Sequence, residues 1–192
     1  MNRNKYNREQ TIRDIKRTFI QLYDAKGIDR VSIREICEKA GVSRTIFYSY
    51  FEDKYQLLES IENELLSGVT RINHALVTAS LRDYRPGAPF PVFVDTARYV
   101  WDQQDFFRPL LNVHGDPQFI FRWKRQIRSD VRQKLLHDQV AAKNIDVITE
   151  LFASAIIGLY TYWFFENPSL SCEEVSEIAG SLLCGSFYNF SK

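Results

Sequence analysis

The apolar residues of this chain recur almost everywhere at helical spacing. Ile12, Ile15, Phe19, Leu22 and Tyr23 fall at three- and four-residue steps, which predicts a helix from a cap at Asn7 to about Lys26, ended by Gly27. Ser32 opens a second helix. Glu35, three places on, completes a capping box, and Ile33, Ile36, Cys37 and Ala40 form the apolar stripe. Gly41 is the residue type a helix end wants when the chain turns left-handed, and Ser43 caps a third helix only two residues later, with Val42, Phe47 and Phe51 as its apolar contacts. Asp53 and Gln56 open a fourth helix to about Ser80, along which Leu58, Ile61, Leu65, Val69, Ile72 and Leu76 repeat. A helix this long can serve both halves of the protein and act as a lever between them. Pro86, Gly87, Pro89 and Pro91 then break the pattern.

Helix 5 is predicted from Pro91 to Gln103 and helix 6 from Asp105. Asp116 and Pro117 make a clean start for helix 7, whose stripe is Phe119 or Ile120, then Trp123, Ile127, Val131 and Leu135. Arg122, Arg125, Arg128 and Arg132 fill its other faces. Asp130 and Asp138 interrupt them, so a solvated face accounts for the series better than a nucleic-acid patch. Helix 8 spans Asn144 to Glu166 and contains LFASAIIGLYTYWFF, apolar nearly all round and therefore in need of cover on more than one side. Ser171 and Glu174 box the start of helix 9, with Val175, Ile178, Ala179, Leu182, Ser186 and Phe187 as its stripe. No repeat, low-complexity tract or convincing strand interrupts this order. The expected fold is all-α, with nine helices in two domains, residues 1–58 and 59–192.

Charge sharpens the division. Residues 1–50 hold eleven Lys and Arg against six Asp and Glu, whereas residues 51–192 hold fourteen against eighteen. A basic head on an acidic body is the asymmetry of a DNA-reading module joined to something else. The opening NRNKYNR is a basic arm that either follows DNA or is a solvated tail. It has no apolar signal region, and the longest apolar run, Ile156 to Phe165, is too short to span a membrane. Cys37, Cys172 and Cys184 show no zinc or redox spacing and read as reduced thiols in a cytoplasm.

Two short helices joined by a tight glycine turn form a helix-turn-helix. The second carries Arg44, Thr45, Tyr48 and Ser49, groups that bond base edges and phosphates. The stretch AGVSRTIFYSYFEDK, with Ile33, Ile36 and Leu57–Leu58 around it, resembles the DNA-binding domain of the TetR/AcrR family of transcriptional regulators. Ile46 departs from that pattern, which carries a polar residue there. The contact open to it is apolar, with a thymine methyl. The resemblance implies nine helices and a homodimer on a near-palindromic operator, with repression the more usual sense of control. The residues after Ser43 would enter the major groove. Arg44 and Thr45 are then the base-edge candidates, and Ser32, Ser43, Tyr48, Ser49, Tyr50 and Lys54 the phosphate candidates.

In that family the last two helices pair with those of a second subunit. Ala155, Gly158 and Leu159 on helix 8 and Leu182, Leu183 and Ser186 on helix 9 are the interface candidates, since small residues among large ones allow close approach. The resemblance also places a small-molecule pocket among helices 5 to 8. Phe93, Trp101, Phe119, Trp123, Phe152, Tyr160 and Trp163 are candidates for its wall, and Arg98, His114 and Arg122 for its inward polar groups. Nothing points to catalysis: GxSxG, HExxH, GxxxxGK[ST] and GxGxxG are all missing, the three histidines are scattered, and no cofactor or metal is implied. The competing reading is a helical protein–protein interaction module that never binds an operator. Retention on duplex DNA separates the two.

Overall fold

A computed structural model describes the backbone of residues 3–79, 85, 87–139 and 144–190, and the side chains of 8–79, 85, 87–139 and 144–185. Among these residues are nine α-helices and no strand: α1 Arg3–Lys26, α2 Ile33–Ala40, α3 Arg44–Tyr48, α4 Lys54–Asn73, α5 Pro91–Asp102, α6 Gln104–Leu111, α7 Pro117–His137, α8 Ile145–Phe165 and α9 Cys172–Phe190. They form two compact units, one of Met1–Leu65 with Asp105–Asp116, the other of Leu66–Gln104 with Pro117–Lys192. The boundary falls inside α4, and α6 goes with the first unit.

In the first unit, Ile15 and Phe19 of α1, Ile36 of α2, Phe47 of α3 and Leu57 of α4 are fully buried. Their three- and four-residue spacing puts one stripe of each helix on a common core. Large side chains buried in this way each contribute about 1.5–3 kcal/mol. Phe107 and Leu110 of α6 are equally buried. Two polar ties fasten this segment to α1: Tyr23 Oη donates to the His114 carbonyl at 3.0 Å, and Asn112 Nδ2 donates to Asp24. Burial, then the Asp116 and Glu62 carboxylates, push the Tyr23 hydroxyl up to about 12. Helix α1 starts at Arg3, ahead of the expected cap at Asn7, so most of the basic opening segment is helical backbone and not an extended arm.

In the second unit α7 packs along α8 and α5 along α9. The expected α7 stripe, Phe119, Trp123, Ile127, Val131 and Leu135, is buried throughout. Three of the α7 cations face α8, where Lys124 and Arg128 pair with Glu150 at 2.8 and 3.1 Å and Arg132 pairs with Asp146. Ser176, fully buried on α9, accepts from Phe90 N and donates to Phe90 O, which fixes the start of α5. Ser171 and Glu174 close a complete capping box on α9, at 2.7 and 3.1 Å. After Asn73, helix α4 tightens into a 3-10 turn, His74–Leu76. Leu76 stays in the core, so the apolar period runs on past the α-helix and made it read longer in the sequence.

Helix α8 is apolar on its exposed face as well as on its buried one. Its 21 residues are, by length and composition, long and apolar enough to cross a membrane, although half of that window is buried within the unit. Its buried side carries Phe152, Ile156, Tyr160 and Trp163, while Val147, Leu151, Tyr162 and Phe165 stand exposed on the opposite face. Gly158 lies on that outer face with open space over it. On α9, Ile178 and Leu182 are exposed. Of the interface candidates, Gly158 and Leu182 are exposed and Ala155 and Leu159 are half-buried. Leu183 is core at 1% exposure and is withdrawn as an interface residue, and the Ser186 side chain lies outside the described ones.

Candidate nucleic-acid interface

Helix α2 begins at Ser32, whose Oγ accepts from Glu35 N at 3.2 Å. The capping box is only half made, because the Glu35 carboxylate reaches Lys26 of α1. Gly41 ends the helix with φ +67°, and the amide of Val42 returns to the Cys37 carbonyl at 3.0 Å. A side chain at Gly41 would be strained by that backbone, so the tight turn between the two helices depends on glycine. Ser43 then caps α3 by accepting from Ile46 N at 3.2 Å.

Phe47 anchors α3 in the core, edge-on to Tyr48 and close to Phe51. With that one face buried, Ser43, Arg44, Thr45, Ile46, Tyr48 and Ser49 are all exposed. Arg44 makes no ion pair with any described residue, so its guanidinium is available to an outside acceptor. Tyr48 is 54% exposed and Ile46 42%. Ser49 turns its hydroxyl back to the Ile46 carbonyl at 2.7 Å. Tyr50 follows the helix and is half-buried, with the Arg8 guanidinium over its ring at 5.5 Å.

Lys54 is the correction within this set. Its Nζ donates to the carbonyls of Ile28, Val31 and Asp29 at 2.8, 3.0 and 3.3 Å. All three ammonium hydrogens are therefore spent on the turn between α1 and α2. The expected phosphate contact gives way to a clamp inside the unit. Asp53 caps α4 in its place, accepting from Tyr55 N and Gln56 N at 2.9 and 2.7 Å.

The second unit contains a cavity of about 20 Å³, not fully enclosed. That is room for one or two water molecules. Four of the expected wall residues line it, Phe93, Trp123, Phe152 and Tyr160. Phe119 and Trp163 are buried beside it, and Trp101 is half-buried, stacked on Trp163 at 4.9 Å. Trp123 and Tyr160 stack at 5.3 Å and 15°. The rings pack on one another in place of enclosing a drug-sized space. The polar groups at the cavity are not those expected from sequence. Arg98 is exposed and paired with Glu173 at 2.7 Å, and His114 belongs to the first unit. Arg122 is half-buried and absent from the lining. Asn73, Thr96 and Asp130 line it instead.

These three form a chain. Thr96 Oγ1 donates to Asn73 Oδ1 at 2.8 Å, Asn73 Nδ2 donates to Asp130 Oδ2 at 3.3 Å, and Gln126 Nε2 donates to Asp130 Oδ1 at 2.8 Å. Burial raises the Asp130 carboxyl above its ordinary range, while the two amides and His74 draw it back. A polar residue in an apolar register was the available signal: Asn73 stands four places after Val69, and Thr96 three after Phe93.

Comparison with known proteins agrees with this geometry. The pattern of "bacterial regulatory proteins, tetR family" matches residues 20–61, and that of a "transcriptional regulator C-terminal region" matches residues 88–185. An uncharacterized HTH-type transcriptional regulator of Bacillus subtilis, YxbF, is 24% identical over 168 residues, covering 85% of this chain and 42% of its own length. A second from that organism, YvdT, is 40% identical over 48 residues, 25% of each chain. The chain spans less than half the length of these curated relatives. Among solved structures, a TetR transcriptional regulator from Streptococcus agalactiae has TM-score 0.63 at 19% identity, covering 94% of this chain and 97% of its own. SmeT, the repressor of the Stenotrophomonas maltophilia efflux pump SmeDEF, has TM-score 0.70 at 13% identity, covering 94% and 89%. These likenesses carry the fold. The matched patterns are those of regulators and not of enzymes, and together they take in both units: the chain belongs to the TetR family of bacterial regulatory proteins.

Proposed function

We propose that the chain is a sequence-specific, double-stranded DNA-binding regulator of transcription that works as a homodimer in the cytoplasm. The observation that carries this reading is the split of α3. Phe47 is 0% exposed, and Arg44, Thr45, Ile46 and Tyr48 all face solvent from the opposite side of a helix capped at Ser43. Arg44 suits guanine, Thr45 a base edge and Ile46 a thymine methyl. Ser32, Ser43, Tyr48, Ser49 and Tyr50 suit phosphate oxygens, and the free amides at the starts of α2 and α3 favour anions.

Dimerisation is supported by apolar side chains exposed on α8 and α9: Leu151 and Tyr162 stand on the face of α8 that carries the bare backbone of Gly158, and Leu182 is exposed on α9. Two heads on a two-fold axis read a near-palindromic site. Repression follows if the occupied site excludes polymerase, and a small effector held in the second unit relieves it by favouring a different state. Duplex binding measured against salt tests the reading: affinity for the preferred site should fall steeply as salt rises. A reporter fused to that site, with the gene deleted and restored, reads the sense of regulation. A chain that stays monomeric at micromolar concentration, or ignores duplex DNA at low salt, overturns it.

A further inference from the structure

The cavity of the second unit combines groups that seldom meet without a purpose. Asp130 brings a carboxylate to a lining that carries the rings of Phe93, Trp123, Phe152 and Tyr160 among aliphatic side chains. Its hydrogen-bond partners, Asn73 and Gln126, are neutral amides. Among the described residues no lysine, arginine or histidine forms an ion pair with it, and the exposed His74 acts on it only as a lesser influence, without contact. Four of the neighbouring α7 cations are directed elsewhere: Lys124, Arg128 and Arg132 to α8, and Lys134 to Asp138 and the carbonyls of Val77 and Ala79. A carboxylate set in an aromatic wall without a counter-charge is complementary to an organic cation, which gains from the anion and from the ring faces together.

The geometry points to an organic ammonium ligand, its charged head seated between Asp130 and the aromatic wall and its carbon skeleton leaving through the open side of the cavity. This rests on the effector reading above and names the chemistry of the effector. The dimensions agree. An ammonium head takes about the space of a water, and the cavity of about 20 Å³ accepts one or two. Thr96 holds Asn73, the carboxylate's neighbour, by a 2.8 Å hydrogen bond, so the polar end of the cavity is fixed before a guest arrives.

The test uses three probes of one size on the full chain: benzylammonium, benzyl alcohol and benzoate. Intrinsic tryptophan emission follows binding, since Trp123 is in the wall. Benzylammonium should bind saturably and at least about tenfold more tightly than benzyl alcohol, and benzoate should not bind. Asp130→Asn, an isosteric change, should reduce the cation-to-alcohol ratio to about one. If that variant does not fold, the wild-type ratio decides alone. Equal or better binding of benzyl alcohol, no saturable binding of benzylammonium, or an unchanged ratio in a folded Asp130→Asn protein overturns the inference. Operator release measured alongside keeps the two readings apart. Benzylammonium that binds without changing operator affinity leaves the cation site standing and removes its effector role, whereas release by the neutral probe alone leaves an effector and removes the cation site.

Discussion

Lys54 is where the sequence and the structure make opposite predictions. As a phosphate ligand, it would contribute one unit of counterion release, and Lys54→Met would flatten the salt dependence of DNA binding by about 0.9 in log–log slope. As the structure has it, Lys54 Nζ holds the carbonyls of Ile28 and Val31 at 2.8 and 3.0 Å, with a weaker bond to Asp29 at 3.3 Å. Hydrogen bonds to a charged donor are worth about 1.5–3 kcal/mol each. The side chain is half-exposed, so water recovers part of this when it is removed. The ammonium also sits at the start of α4, where the helix dipole disfavours it by about 0.3–1 kcal/mol. The net cost of Lys54→Met is then about 1–2 kcal/mol, and the melting temperature should fall by about 2–8 °C for a chain of this size. Thermal unfolding by circular dichroism gives the first quantity, and operator binding across a salt series gives the second. The expected outcome is a lower melting temperature with an unchanged salt slope. An unchanged melting temperature with a slope reduced by about one unit would refute the clamp and restore the phosphate contact.

Arg44→Ala should cost about 1–3 kcal/mol at the preferred site and relax the preference at one base pair per half-site, read by competition with singly substituted duplexes. Leu182→Arg places a charge on the outer face of α9, where the side chain is 37% exposed, and should yield monomers in sedimentation with the core intact. Gly68→Ala would bring a methyl group within 2.1 Å of Tyr99 Oη and 2.2 Å of the ring carbon that bears it. It should destabilise by about 1–3 kcal/mol, with recovery in the double variant with Tyr99→Ala. Asp130 has a raised pKa. Its folded form therefore holds the proton better than the unfolded one, a contribution present below the unfolded carboxylate range and lost as pH rises through the folded pKa. The melting temperature of the wild type relative to Asp130→Asn should accordingly fall across that rise, and a difference independent of pH would count against the burial argument.

The first unit was readable because each of its signals is local. Ser32, Gly41 and Ser43 act within three or four residues of themselves, and all three do so as their side chains and backbone require. What the sequence could not show was the destination of long side chains. Glu35 was expected to complete its own cap and instead meets Lys26. Lys54 was expected outside and turns in. Both outcomes depend on which turn of chain lies opposite, and no period along the sequence records that. Helix α6 depends on distant chain in the same way. Its own stripe is short, and its membership of the first unit is decided by Tyr23 and Asp24 of α1, some ninety residues earlier. The body aromatics were legible as a set but not one by one, because periodicity tells buried from exposed and not core from cavity wall.

The arginines of α7 and of α3 show why residue type alone does not make a nucleic-acid surface. Helix α7 presents four guanidinium groups at helical spacing, whereas α3 carries one, Arg44. On α7, however, Arg128 and Arg132 meet Glu150 and Asp146 across the groove to α8, and Lys124 shares Glu150. A carboxylate with two cations on it is held below its ordinary range, as Glu150 is, by the Lys124 hydrogen bond first and by the Lys124 and Arg128 charges after it. Such cations would have to leave a partner before gaining a phosphate, and a surface ion pair given up for another yields little. Arg44 has no such partner among the described residues, and α3, from Arg44 to Tyr48, contains no acidic residue. Its guanidinium exchanges only water for an acceptor. The distribution of acidic residues, more than that of basic ones, is therefore what supports the proposed reading surface on α3 and sets the inter-helix seam on α7.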